Sequence, residues 1–202
     1  MTTILMVSLV FIFGLGLGAV VFWFFYRYMA KSEKPAITKA AVHNLTFRWK
    51  YILLPVALLL LAVALGAIFY PQLTEEVAYR FNLDGSPKGG LNREAIASLT
   101  LIPQFILVLV SAATVWGVIR LSRSSGQVGG AINPERLVLF MGNMVALPQI
   151  IIGFVMLDIF SYNVYSWHLM PVWLFTLIAM AVAGIILTVF FIQTIKRSRQ
   201  GG

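Results

Sequence analysis

The chain contains no cysteine. No disulfide, thiolate metal site or cysteine nucleophile can form, and the redox compartment leaves no mark on the sequence. Charge is scarce as well. Only 11% of the 202 residues are Asp, Glu, Lys or Arg, against about 25% in an ordinary soluble domain. So few charges cannot coat the water-facing surface of a chain this long. A free-standing soluble protein is excluded, and so is a disulfide-built secreted module. A disordered chain is excluded by an apolar content of 60%, well above the level at which chains fail to bury a core.

Sequence signals for chemistry are equally sparse. No Ser-His-Asp order, nucleophile elbow, phosphate loop or zinc-binding HExxH helix occurs. The sequence points to a protein that is not an enzyme and carries no cofactor. The two histidines, His43 and His168, fall in different loops on opposite sides of the expected membrane and share no metal. Met141, Met144 and Met156 could suggest a copper path, but scattered methionines are ordinary filling in apolar helices.

What the sequence has is long apolar runs. A membrane-crossing helix needs about 20 such residues. Five runs qualify, over residues 4–26, 51–70, 99–119, 137–160 and 171–195. The expected fold is therefore an all-α integral membrane protein, a single polytopic domain of five transmembrane helices. The first run has no basic residue ahead of it and is too long for a signal peptide, so it is read as an uncleaved helix. It carries Gly14 and Gly18 at GxxxG spacing, a face that suits close helix approach or simply tolerates glycine in lipid.

The formal charge of +8 follows the spans. Twelve of the fifteen basic residues fall in 27–50, 120–136 and the tail, all on one side of the expected bilayer. The other three, Arg80, Lys88 and Arg93, lie in 71–97. The positive-inside rule puts the twelve in the cytoplasm, the N-terminus outside and the C-terminus inside. Topology thus explains the charge, and nucleic acid is not an expected partner. Residues 27–50 also set six basic residues beside Phe47, Trp49 and Tyr51, a composition that attracts anionic lipid.

Residues 71–97 are the most informative stretch. Val77, Tyr79 and Phe81 alternate with Ala78, Arg80 and Asn82, a period-two pattern that suits an extended piece. Asp84-Gly85, Ser86-Pro87 and Gly89-Gly90 are turn signals. Asn92 is a candidate N-cap for a helix leading into the third span. Asn82, Asp84, Glu75 and Glu76 fall far short of a calcium loop. An Asx-type turn closing a small extracytoplasmic cap between the second and third spans is the simpler reading.

The run Val77-Ala78-Tyr79-Arg80-Phe81-Asn82-Leu83-Asp84-Gly85-Ser86-Pro87-Lys88-Gly89, after Pro71-Gln72-Leu73, resembles the SdpI-type membrane family, a domain of otherwise unknown function. Phe81, Asn82, Gly85 and Pro87 fall at matching places. Arg80 stands where that family commonly has histidine, and Lys88 where it has aspartate. The likeness covers about thirty residues of the chain. It implies a bacterial immunity or signalling role in the cytoplasmic membrane. Separately, the outer cap is a candidate recognition surface, with Arg80, Phe81, Asn82, Asp84, Gly85 and Pro87 as its residues.

Polar residues inside spans are functional candidates by default. Gln104, Asn143 and Gln149 can bond across helices or satisfy carbonyls freed by Pro103 and Pro148. Asp158 is the only acid expected within a span, near its outer end where water reaches it. Tyr162, Tyr165, Trp167 and His168 read as an interfacial aromatic belt. Leu101-Ile102-Pro103-Gln104-Phe105-Ile106 and Ala146-Leu147-Pro148-Gln149-Ile150-Ile151 match in pattern. Two such short matches among an odd number of spans read as coincidence rather than an inverted repeat.

The leading expectation is a non-enzymatic membrane interaction protein: an SdpI-like sensor or immunity factor, or an accessory subunit of a larger membrane complex. Its partners are the bilayer and a protein within it. The alternative is a small transporter or proton path using Asp158, Asn143, Gln149 and the Pro-Gln helix breaks.

Overall fold

A computed structural model describes residues 46–82, 86–125 and 134–200. Four helical stretches among them are long and apolar enough to cross a membrane: Leu53–Gln72, Arg93–Arg120, Glu135–Tyr165 and Val172–Phe190. They coincide with four of the five expected spans. The span expected over 4–26, with its Gly14 and Gly18, and the basic residues before Phe47 lie outside the described residues.

The chain enters through a short 3-10 turn, Trp49–Tyr51, into helix α1, Leu53–Phe69. A second such turn, Tyr70–Gln72, leads to strand β1, Glu76–Phe81, and strand β2, Pro87–Asn92. Helix α2 covers Arg93–Ser125, α3 Pro134–Asn143, α4 Ala146–Tyr165 and α5 Val172–Gln200. The fold is thus mostly helical but not all-α. The segment between α1 and α2 is an antiparallel hairpin. The alternation of Val77, Tyr79 and Phe81 is its sequence signature.

Proline placement explains many of the boundaries. Pro55 and Pro148 fall in the first turns of α1 and α4, and Pro134 opens α3. There a missing N–H costs no helical bond. Pro87 opens β2, and Pro171 directly precedes α5. Among the described residues, only Pro103 stands inside a helix beyond its first turn.

The run 137–160, expected as one span, lies within one membrane-length stretch, Glu135–Tyr165, whose helix is interrupted at Met144 and Val145. Pro148 cannot donate to the Met144 carbonyl, and its ring crowds that oxygen. Beyond the break, α4 continues through the residues expected as the start of a loop and ends at Tyr165. Ser166 closes it in the left-handed conformation (φ 55°), its N–H bonded to the Tyr162 carbonyl at 2.8 Å. At the start of α2, Asn92 caps as expected, its Oδ1 accepting from the Ala95 N–H at 3.0 Å.

Two apolar clusters hold the bundle. At the hairpin end, Val77, Leu73 and Ile96 pack with Ala62, Val155, Met156, Ile159 and Phe160. At the opposite end, Tyr51 and Ile52 pack with Val115, Ile119 and Val138. Helix α5 joins through two stacked pairs, Phe154 with Phe175 and Phe140 with Phe190. Much of its described apolar surface, including Leu177, Ile178, Ile185 and Ile186, is exposed. In water that would be a liability, whereas in a bilayer it is the solvent-matched face.

Candidate functional site

The hairpin lies at the end of the bundle shared with the α4–α5 loop, and α4 is its seat. Val77 is fully buried in the cluster beneath it. Asn163, on the last turn of α4, fixes β1 at its open edge. Its Oδ1 accepts from the Ala78 N–H and its Nδ2 donates to the Ala78 carbonyl, both at 2.8 Å. The carboxamide stands in for a third strand along an edge whose backbone groups would otherwise lack partners.

The register of the hairpin is irregular. Ala78 pairs with Gly90, Arg80 with Gly89 and Phe81 with Pro87. Tyr79 on one strand and Lys88 on the other are therefore bulged out of register. Bulges bend and twist a ribbon and re-aim its side chains. The tip is closed by Asn82, whose N–H bonds the Ser86 carbonyl at 2.8 Å and whose Nδ2 bonds the Ser86 Oγ at 2.9 Å. The Asx-type turn expected there falls on residues 83–85, outside the described residues, and with it the remaining tip candidates, Asp84 and Gly85.

Past the bulge, Phe81 meets two rings from α4 and its following loop. Its centroid is 4.6 Å from that of Tyr162 and 4.5 Å from that of His168, the latter at right angles. The His168 ring stacks on Tyr162 at 4.5 Å. His168 Nδ1 lies 3.1 Å from Asp158 Oδ2, and Asp158 Oδ1 accepts from the Leu169 N–H at 2.9 Å. Asp158 is only 5% exposed. The chain after α4 thus folds back over the carboxylate and shields it.

Two expectations change here. Asp158 was expected to meet water near its helix end, and instead the loop covers it. His168 was read as a belt residue, and instead it is the acid's partner. Tyr165 and Trp167 do remain exposed, as belt residues should. Arg80 points elsewhere. Its guanidinium lies 5.1 Å from the Tyr79 ring centroid, and its buried Nε has no hydrogen-bond partner.

The chemistry of the dyad follows from its geometry. With Nδ1–H donated to the carboxylate, the imidazole keeps a lone pair on Nε2. That atom is buried without a partner. The same ring packs edge-on against Phe81 of the hairpin. Among the described residues, no group of three or more His, Cys, Asp or Glu side chains could hold a metal ion.

The intramembrane amides gather separately. Gln149 Nε2 donates to the carbonyls of Pro55 at 3.2 Å and Gln104 at 3.3 Å. Asn143 Nδ2 donates to the Leu139 carbonyl at 2.7 Å and the Tyr51 carbonyl at 3.3 Å. Asp158 follows Gln149 by nine residues on α4, which at 100° per residue is two and a half turns. The acid and the glutamine therefore occupy opposite faces of one helix. The residues grouped together by the sequence form two sites.

At the far end, Glu135 on α3 binds Lys50 at 2.5 Å and Arg48 at 3.5 Å, with the Tyr51 hydroxyl at 3.5 Å. This fastens the entry of α1 to α3. Its partners are half-exposed, so the pairing contributes little to stability.

Comparison with family profiles, characterised proteins and solved structures returns no match for this chain.

Proposed function

We propose that this is a non-enzymatic membrane interaction protein whose hairpin is its recognition element and whose Asp158–His168 pair reads the hairpin's position. The observation that carries the reading is Phe81. It is held on an irregular, bulged hairpin and packs directly on the imidazole bound to a buried acid. Engagement of the hairpin by a partner moves Phe81, and the dyad responds. The hairpin faces the outside of a prokaryotic cytoplasmic membrane, as the distribution of basic residues favours. On this reading the chain acts like an SdpI-type sensor or immunity factor, or as an accessory subunit whose hairpin docks on a neighbouring membrane protein. The likeness around Phe81, Asn82 and Pro87 supports the first form.

The test is purification of the full chain from its own membrane in mild detergent, with mass spectrometry of what accompanies it. Wild type is expected to retain a stoichiometric membrane partner that Phe81→Ala loses at unchanged expression. A chain that emerges alone, or a partner indifferent to Phe81, overturns the reading.

A second reading is favoured by the burial of Asp158. A covered carboxylate paired with histidine is also the start of a proton path. Proton flux in liposomes abolished by Asp158→Asn, with binding intact, would select it.

A further inference from the structure

Besides the hairpin site, the bundle holds a buried polar layer where α1, α2, α3 and α4 meet. We infer that Gln104, Asn143 and Gln149 form an internal hydration site at the break between α3 and α4, and that the molecule it holds is water. This goes beyond the hairpin reading and stands independently of it.

The hydrogen-bond inventory carries the argument. Gln104 and Gln149 are each 1% exposed. Gln149 spends its Nε2 on two backbone carbonyls, and Asn143 does the same with its Nδ2. That leaves Gln149 Oε1, Asn143 Oδ1 and Gln104 Nε2 buried with no partner. Exchanging oxygen and nitrogen in either donor amide would set oxygen against the carbonyls it now binds, so the orientations are fixed.

Their hydrogen bonds put the three residues in one layer of the bundle. Asn143 and Gln149 rest on the carbonyls of Tyr51 and Pro55, four residues apart at the start of α1. Gln149 also touches the backbone of Gln104.

The unmet set contains both acceptors and a donor. Water supplies both functions and is small enough for a bundle interior. An ion does not fit. Glu135 lies eight residues before Asn143 on α3, and Asp158 lies on the opposite face of α4, so neither supplies a counter-charge within the layer. An unpaired charge in such surroundings is far costlier than a neutral guest. Water at a helix break inside a membrane also satisfies backbone groups that the interrupted ladder leaves open.

Hydroxyl-radical footprinting of the full chain in lipid nanodiscs tests this, since radicals formed at a bound water oxidise the nearest side chains. Met144 sits at the break, and Met156, fully buried in the apolar cluster, is the dry control. Met144 is expected to be oxidised while Met156 is spared. The informative variant is Gln104→Leu. It removes the unpaired donor and none of the hydrogen bonds described above, so it is expected to fold. In it, Met144 oxidation is expected to fall severalfold with Met156 still spared. Gln149→Leu provides a second variant with the same expected fall. Met144 protected in wild type, or oxidised equally in wild type and in both variants, overturns the inference.

Discussion

The carboxamide of Asn163 completes the backbone of Ala78, giving and receiving one hydrogen bond at 2.8 Å each. This side chain supplies polar anchorage of β1 to α4, beside the apolar contacts of Val77 and Phe81. Asn163→Ala removes both bonds and leaves two backbone groups unmatched at a half-buried edge. A lost partner of this kind costs about 1–3 kcal/mol. Hydrogen exchange is expected to quicken at Ala78 and along β1 while the cores of α1 and α2 keep their protection. Uniform loss of protection would mean that the hairpin and the bundle unfold as one unit.

Asp158 serves two donors, the His168 ring and the Leu169 N–H. Asp158→Ala strands both inside the fold, and the expected loss of stability is about 2–4 kcal/mol. Asp158→Asn keeps an oxygen for Leu169 and is expected to lose only about half as much. Thermal unfolding in detergent ranks the two variants. Equal stability for all three proteins would mean that the loop does not depend on the acid. A function lost in Asp158→Asn at near-native stability would assign the carboxylate a role in protonation.

Much of the architecture was legible because lipid imposes a simple rule on sequence. Apolar runs of sufficient length marked the four described spans, and Asn92 announced the start of α2. Ser86-Pro87, read as a turn signal, stands where β2 begins. The first strand was readable in the alternation of Val77, Tyr79 and Phe81, whereas its pairing with β2 was not, because Pro87–Asn92 carries no such alternation. Nor were the bulges, since they depend on pairing across the strands rather than on either strand alone.

The site was half legible. Phe81 and Asp158 both stood out, one as a motif residue and one as an acid in an apolar run. Their connection through His168 did not, because it requires the chain after α4 to double back by ten residues. Asn163 gave no signal at all. Its role is set by the backbone of a strand 85 residues away. The matching Pro-Gln steps, read as coincidence, turn out to be neighbours, with Gln149 bonded to the Gln104 carbonyl.

Ser166 ends α4 with φ 55°, the only non-glycine residue with positive φ among the described residues. A side chain in that region carries a steric penalty that glycine lacks. Ser166→Gly is expected to stabilise the protein by up to about 1 kcal/mol, seen as a raised Tm. A fall in Tm would show that the serine side chain contributes more at this turn than its backbone strain costs.

Gly142 shows how closely the helices approach at the end opposite the hairpin. A Cβ there would strike the Tyr51 carbonyl oxygen and the Val115 side chain. The same residue's carbonyl accepts from the Ser111 Oγ at 2.5 Å, which pins α3 to α2. Backbone on one side and a tethered helix on the other leave little room for relief, so Gly142→Ala is expected to cost about 1–3 kcal/mol. Gly117, Gly153 and Gly184 provide the contrast. Each lies in a helix with nothing within 4 Å of the added carbon. Alanine at those positions is expected to be neutral or to gain up to about 1 kcal/mol from helix propensity. Thermal unfolding of the four variants in one detergent separates the outcomes. If Gly142→Ala matched the other three, the close approach of α3 to the Tyr51 turn would not be a constraint on the folded protein. The joint that positions Asn143 beside α1 would then have to be held by its hydrogen bonds alone.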